Sequence, residues 1–161
     1  MVAYNGAAAG AVEYLKLFDL WELVTPDEKA FLADPKEEKK KQETWKCERI
    51  WKLLWALKKI DSLGFPDQLC NLDNLPAGSY PIGKEKIPGD FINAATTVRS
   101  KAEILDAVDL YYRLDWACVD ARINHVQITG VNPGVVYERH YALNWLIRYM
   151  EQEWDDVSCD T

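Results

Sequence analysis

The segment from Ser100 to Asn124 restricts the fold more than any other part of the chain. Ser100-Lys101-Ala102-Glu103 reads as a capping box, in which the serine hydroxyl and the glutamate carboxylate each satisfy an orphan amide of a first helical turn. Ile104, Leu105, Val108, Leu110, Tyr111, Tyr112, Leu114, Cys118, Val119 and Ile123 follow at helical spacing, and Asn124 is an acceptable stop. At about 100° per residue, Asp106, Asp109, Arg113 and Asp120 fall into one narrow strip, with Trp116 and Ala117 at its edges. A helix that is apolar on three sides is expected at the centre of the molecule, covered by other helices.

Those other helices are legible. Apolar spacing predicts a helix over Ala11–Val24, and Thr25-Pro26-Asp27-Glu28 supplies a cap, a proline at the first position and a capping-box glutamate for a helix over Pro26–Ala33. Asp34-Pro35 repeats the start signal for a helix over Pro35–Ile60, whose wet side is marked by Glu48, Arg49, Lys52 and Lys59. Asn132-Pro133 opens a last helix through Met150. Between residues 61 and 90 the periodicity fails. Pro66, Pro76, Pro81 and Pro88 and Gly64, Gly78, Gly83 and Gly89 punctuate it, while Phe65, Leu69, Leu72, Leu75, Tyr80, Ile82 and Ile87 are apolar enough to lie across a core. The expected fold is mainly α: a single-domain, bundle-like helical array over residues 1–161 with a long irregular covering segment at about 61–90.

Composition supports that architecture and narrows the function. With 48% hydrophobic residues and seven tryptophans in 161, the chain can fill a core without metal or disulfide staples. A formal charge of −7 disfavours phosphate backbones and anionic lipid, so neither nucleic acid nor membrane is an expected partner. The N-terminus makes a poor signal peptide, and no apolar run approaches the ~18 residues of a membrane span. Cys47, Cys70, Cys118 and Cys159 form no CxxC pair and read as reduced thiols, with a disulfide as the alternative; the expected location is the cytoplasm.

The last helix carries the sharpest anomaly. Val135, Ala142, Leu143, Leu146 and Met150 share one face, and Arg139 projects from the middle of it. A guanidinium keeps its proton, so a buried Arg139 requires a carboxylate, expected from the Asp106/Asp109/Asp120 strip or from the tail acids Asp155, Asp156 and Asp160. His140 and Asn144, four apart, lie within mutual reach.

The stretches LLWALKKI at 53–60, RSKAEILDAVDLYYRLDWACVDAR at 99–122, VVYERHYALNWL at 135–146 and WDDVSCDT at 154–161 resemble the family catalogued as domain of unknown function 4272. The likeness covers residues 43–161 and is weaker over 1–42. The resemblance implies no activity, cofactor or catalytic residue. It marks Arg99, Glu103, Asp109, Arg113, Trp116, Glu138, Arg139, His140, Asn144, Trp145, Trp154, Asp155, Asp156 and Asp160 as characteristic.

Each constellation has a structural reading beside a functional one. Asp106, Asp109, Asp120, Asp155, Asp156 and His140 have the oxygen-rich chemistry of a hard-cation site, but Arg113 and Arg139 compete for the same carboxylates, so ion pairing is the favoured account. His140 has the chemistry of a general base, yet no Ser or Cys is placed beside it by any motif. Gly130-Val131-Asn132-Pro133-Gly134 lacks a phosphate-loop fingerprint and reads as a tight turn. Trp51, Trp55, Trp116 and Trp145 take core positions, leaving Trp21, Trp45 and Trp154 as surface aromatics. With no metal or cofactor assigned, the leading expectation is a non-catalytic binding or protein-interaction module built round a polar cluster of Arg99, Glu103, Asp109, Arg113, Glu138, Arg139, His140, Asn144, Asp155 and Asp156. Its partner is a protein or a small molecule, and self-association stays open. The alternative is an enzyme for a small polar or anionic metabolite, using Asp109, Arg113, Arg139 and His140 under the covering segment.

Overall fold

A computed structural model describes residues 7–81 and 86–161; Ile82 and Gly83 of the covering segment lie outside the described residues. The fold is mainly α, with no strand among the described residues. In chain order the helices are α1 (Ala8–Leu17), α2 (Pro26–Ala33), α3 (Glu37–Trp45), α4 (Cys47–Ala56), α5 (Pro88–Ala94), α6 (Lys101–Ile123) and α7 (Pro133–Leu146), joined in places by short 3₁₀ turns.

Capping chemistry sets the starts. Both capping boxes form, Thr25 with Glu28 and Ser100 with Glu103, and the Asn132 side chain accepts from the Gly134 and Val135 amides at the head of α7. Several stops use a left-handed residue that is not glycine. Asp19, Lys58, His125 and Arg148 follow α1, α4, α6 and α7 with φ of 54–55°. After α4, the Lys58 and Lys59 amides turn back to the Trp55 and Leu54 carbonyls, the pairing of a Schellman motif. These stops shorten two helices relative to their apolar patterns: α1 ends at Leu17 rather than Val24, and α7 at Leu146 rather than Met150. The single helix expected over Pro35–Ile60 is two, broken at Lys46.

The centre of the molecule belongs to α7. It packs between α4 and α6 and buries Val135, Val136, Arg139, His140, Tyr141, Ala142, Leu143 and Asn144. The expectation that α6 is central is overturned, because only Tyr111, Asp115 and Cys118 of its residues are buried. The 23-residue α6 meets α7 along one face and sets Ile104 and Ala107 on the α4 cluster, while Leu105, Leu110, Tyr112, Trp116 and Ile123 stay exposed. One core cluster gathers Leu54, Trp55, Ala56 and Ile60; a second joins Tyr111 and Cys118 of α6 to Val136 and Leu143 of α7. The covering segment packs Leu63 and Leu75 on the first cluster, and its Pro66 carbonyl accepts from the Asn132 amide at 2.7 Å. Among its other apolar residues Phe65, Leu69 and Ile87 face outward.

Candidate functional site

Arg139 sits where its wheel position requires, with 2% of its surface exposed, and its anion is Glu48. Arg139 Nε donates to Glu48 Oε2 at 2.7 Å, and Nη1 donates to Tyr111 Oη at 2.8 Å and to the Gly64 carbonyl at 3.1 Å. The other Glu48 oxygen accepts from the Cys70 amide. Neither the aspartate strip nor the tail supplies the partner, which corrects the sequence reading. Glu48, Arg49 and Lys52, read as a wet side, are buried because α7 covers that face of α4. Burial works against the Arg139 charge, but Tyr111 and Glu48 outweigh it and its pKa rises.

Lys52 lies beside this pair with 1% exposure, and its Nζ finds no hydrogen-bond partner among the described residues. The amine stands 4.1 Å from the Trp55 ring centre and 4.6 Å from that of Tyr111. Burial, then the charges of Arg139 and Arg99, push its pKa down from 10.5 to about 6, so at neutral pH the amine is mostly unprotonated.

A second polar cluster lies on the same helix. His140 Nδ1 and Asp115 Oδ2 are 2.9 Å apart, both groups are buried, and a ligand atom of each lies within 4.8 Å of the Cys159 sulfur. Burial and the Asp115 carboxylate push the Cys159 thiol up to about 12, which holds it protonated at neutral pH. Sequence reasoning missed Asp115. The signal was available: Asp115 shares the face of Tyr111 and Cys118, a charge on an apolar face, the same observation that singled out Arg139. The expected His140–Asn144 pair does not form; Asn144 Nδ2 donates instead to the Ser158 carbonyl at 2.9 Å.

The remaining signature residues are spread through the fold as ties. Arg49 pairs with Glu138 and lies 3.4 Å from the Tyr141 ring centre. Arg99 closes the end of α4, donating to the carbonyls of Trp55, Ile60 and Asp61 at 2.8–3.1 Å and to Glu103 at 2.8 Å. The Ser100 amide and hydroxyl, together with Arg99, hold the Glu103 carboxyl at about 2. Asp155 joins the tail to α2, accepting from Thr25 Oγ1 at 2.8 Å and from the Asp27 amide at 2.9 Å. Asp156 is exposed.

Asp109 and Arg113 are not brought to Arg139 and His140. They form an exposed pair at 2.8 Å on the outer side of α6, with Asp106 and Asp120 also exposed. The cation cluster weighed over these acids is therefore not assembled. Beside them Leu105, Tyr112, Trp116 and Ile123 stand 43–67% exposed, within about 20° of one line on the helix. Trp116, expected in the core, is part of that stripe, and Trp145 also reaches the surface. Trp45 packs inward, where a Cβ on Gly134 would come within 2.6 Å of its ring. At the end of the Gly130–Gly134 turn the Asn132 side chain takes the Gly134 amide and that of the following Val135.

The family described as a domain of unknown function (DUF4272) matches residues 3–157. The chain belongs to that family. The match takes in the N-terminal helices, which the quoted motifs alone connect only weakly to DUF4272. No curated protein and no solved structure matches the chain. In this DUF4272 chain, Arg99, Arg139, Glu138 and Asp155 each close a contact between separate elements. Among the described residues no helix is long and apolar enough to cross a membrane.

Proposed function

We propose that this chain is a cytosolic, non-catalytic protein-interaction module whose contact surface is the outer face of α6. The observation that carries the reading is the stripe Leu105, Tyr112, Trp116 and Ile123, left in water on the longest helix while the buried polar groups Glu48, Arg139 and Tyr111 satisfy one another. Aromatic residues in a rigid, exposed row are the usual anchors of protein interfaces. Asp106, Asp109 and Asp120 border the row on one side together with Arg113, exposed Lys101 and Arg122 lie on the other, and the chain as a whole carries −7. That field favours a partner helix with an apolar stripe flanked by lysine or arginine, and opposes a second copy of the same acidic surface. The interaction reading is favoured over an enzyme using Asp109, Arg113, Arg139 and His140 together, because the first two are exposed whereas the last two are buried.

The test is a pull-down from native extract with the whole chain as bait. The parent should retain a stoichiometric partner, and the double variant Leu105→Glu/Trp116→Glu should lose it with an unchanged circular dichroism spectrum. Weakening by about 30-fold or more is expected if the row holds the central anchors. A partner retained equally by the variant, or no stoichiometric partner for the parent, overturns the reading.

A further inference from the structure

Cys47 and Cys70 are far apart in sequence and adjacent in space. Cys47 opens α4, Cys70 lies in the irregular stretch that crosses the core, and their sulfurs approach within 4.8 Å of each other. Cys47, Cys70 and Cys159 are each partly exposed, whereas Cys118 is buried. Between them stands Glu48, whose one oxygen holds the Cys70 backbone amide and whose other holds Arg139. The backbone of the covering segment is thereby fixed against α4 with its thiol facing the Cys47 thiol.

We propose that Cys47 and Cys70 form a disulfide-exchange site: a dithiol that small-molecule disulfides oxidise to an intramolecular disulfide, stapling the covering segment to α4.

The two thiols are chemically unequal, which assigns their roles. Cys47 stands in the first turn of α4 with the Cys70 thiol beside it, and that neighbour lowers its pKa against the opposing effects of burial and of the Glu48 and Glu138 charges. Cys70, held by its amide on the Glu48 carboxylate and facing Cys47, is pushed up by Cys47, by burial and by the Glu48 charge. Cys47, at the start of a helix where first-turn amides favour an anion, is the attacking thiolate, and Cys70, beside the Glu48 carboxylate, is the resolving thiol. In the first step Cys47, having released its proton, attacks one sulfur of a disulfide such as oxidised glutathione; the S–S bond breaks, a mixed disulfide forms and one small thiol leaves carrying a proton. In the second step the Cys70 sulfur attacks the Cys47 sulfur of the mixed disulfide, and the Cys70 proton departs with the second small thiol. Two protein thiols are oxidised and one small disulfide is reduced to two thiols. A thiophilic metal is the weaker occupant of the same place. Both Glu48 oxygens are engaged, which leaves two sulfurs where zinc takes three or four protein ligands.

The experiment exposes the full chain to graded ratios of oxidised to reduced glutathione, quenches with an alkylating reagent and maps the cysteines by peptide mass spectrometry. A Cys47–Cys70 linkage should appear first, with Cys118 and Cys159 still alkylated. Cys70→Ser should accumulate a glutathione adduct on Cys47, whereas Cys47→Ser should leave Cys70 largely unmodified at the same ratio. Persistence of both thiols at ratios that modify Cys118 or Cys159 overturns the proposal. So does equal adduct formation on Cys70 in the Cys47→Ser chain, or purification with stoichiometric zinc that must be chelated before either thiol reacts.

Discussion

Helices α6 and α7 pose the same problem to a reader of their sequences and solve it in opposite ways. Each is rich in apolar residues and carries charge, yet α7 is buried along most of its length, charges included, while α6 exposes Leu105, Leu110, Tyr112, Trp116 and Ile123. The difference is the number of neighbours. Helix α7 is flanked by α4 on one side and α6 on the other, whereas α6 packs mainly on α7 and touches the α4 cluster only near its start, through Ile104 and Ala107. Burial of a helix follows from the partners that the chain folds against it, and an apolar wheel without them becomes an exposed surface.

The contrast can be broken most severely at its charged centre. Arg139→Met should lower unfolding free energy in urea by about 4 kcal/mol, because Glu48 is left buried without its cation. Adding Glu48→Leu to that variant should recover much of the loss, since the uncompensated charge goes with it. A loss from Arg139→Met below about 1 kcal/mol, the range of an exposed pair, would remove the distinction between this ion pair and the Asp109–Arg113 pair on α6.

Lys52 should respond in the opposite sense. Its folded pKa of about 6 lies below the ordinary 10.5, so between those values the unfolded chain holds a proton that the folded chain does not. Stability from this residue therefore rises as pH increases from 6 towards 10, and the full burial penalty is present below pH 6. Lys52→Met keeps the apolar stem and removes the amine; it should stabilise the fold by about 2 kcal/mol at neutral pH and flatten the dependence of melting temperature on pH over that window. A variant as steep in pH as its parent would show that another group carries the slope.

Smaller effects sharpen the same comparison at the surfaces of the two helices. Gly134→Ala brings a methyl within 2.6 Å of the Trp45 ring, so the close seating of α3 on the head of α7 should loosen, at a loss of about 1 kcal/mol after the gain in helix propensity. Chemical denaturation and the near-ultraviolet signal of the tryptophans should both report it. On α6, Trp116→Glu should change stability by no more than about 0.5 kcal/mol, since the ring is more than half exposed. A large destabilisation there would mean that the outer face of α6 is covered within the fold.

What could be read before the structure follows from local rules. Both capping boxes, the Asn132-Pro133 start and the bounds Pro26–Ala33 depend on residues a few positions apart, and they hold. Arg139 was identifiable as a buried charge because its helix offers no wet side at that position. Glu48, Arg49 and Lys52 were misassigned by the same wheel reasoning, since three neighbouring charges look like solvent exposure when the covering helix is unknown. The break at Lys46 left no proline or glycine as a mark.

Linear order and side-chain chemistry thus settled most of the segments that become helices, though not α5 at Pro88–Ala94; they also settled the starts of α2, α6 and α7, and that a guanidinium near the end of the chain demands an acid. They pointed to the wrong acids and to the wrong innermost helix, and they did not show which thiols meet. Those outcomes depend on contacts between residues tens of positions apart: Glu48 with Arg139, Asp115 with His140, Cys47 with Cys70. Helical periodicity specifies a face, but the identity of whatever packs on that face is a property of the folded chain.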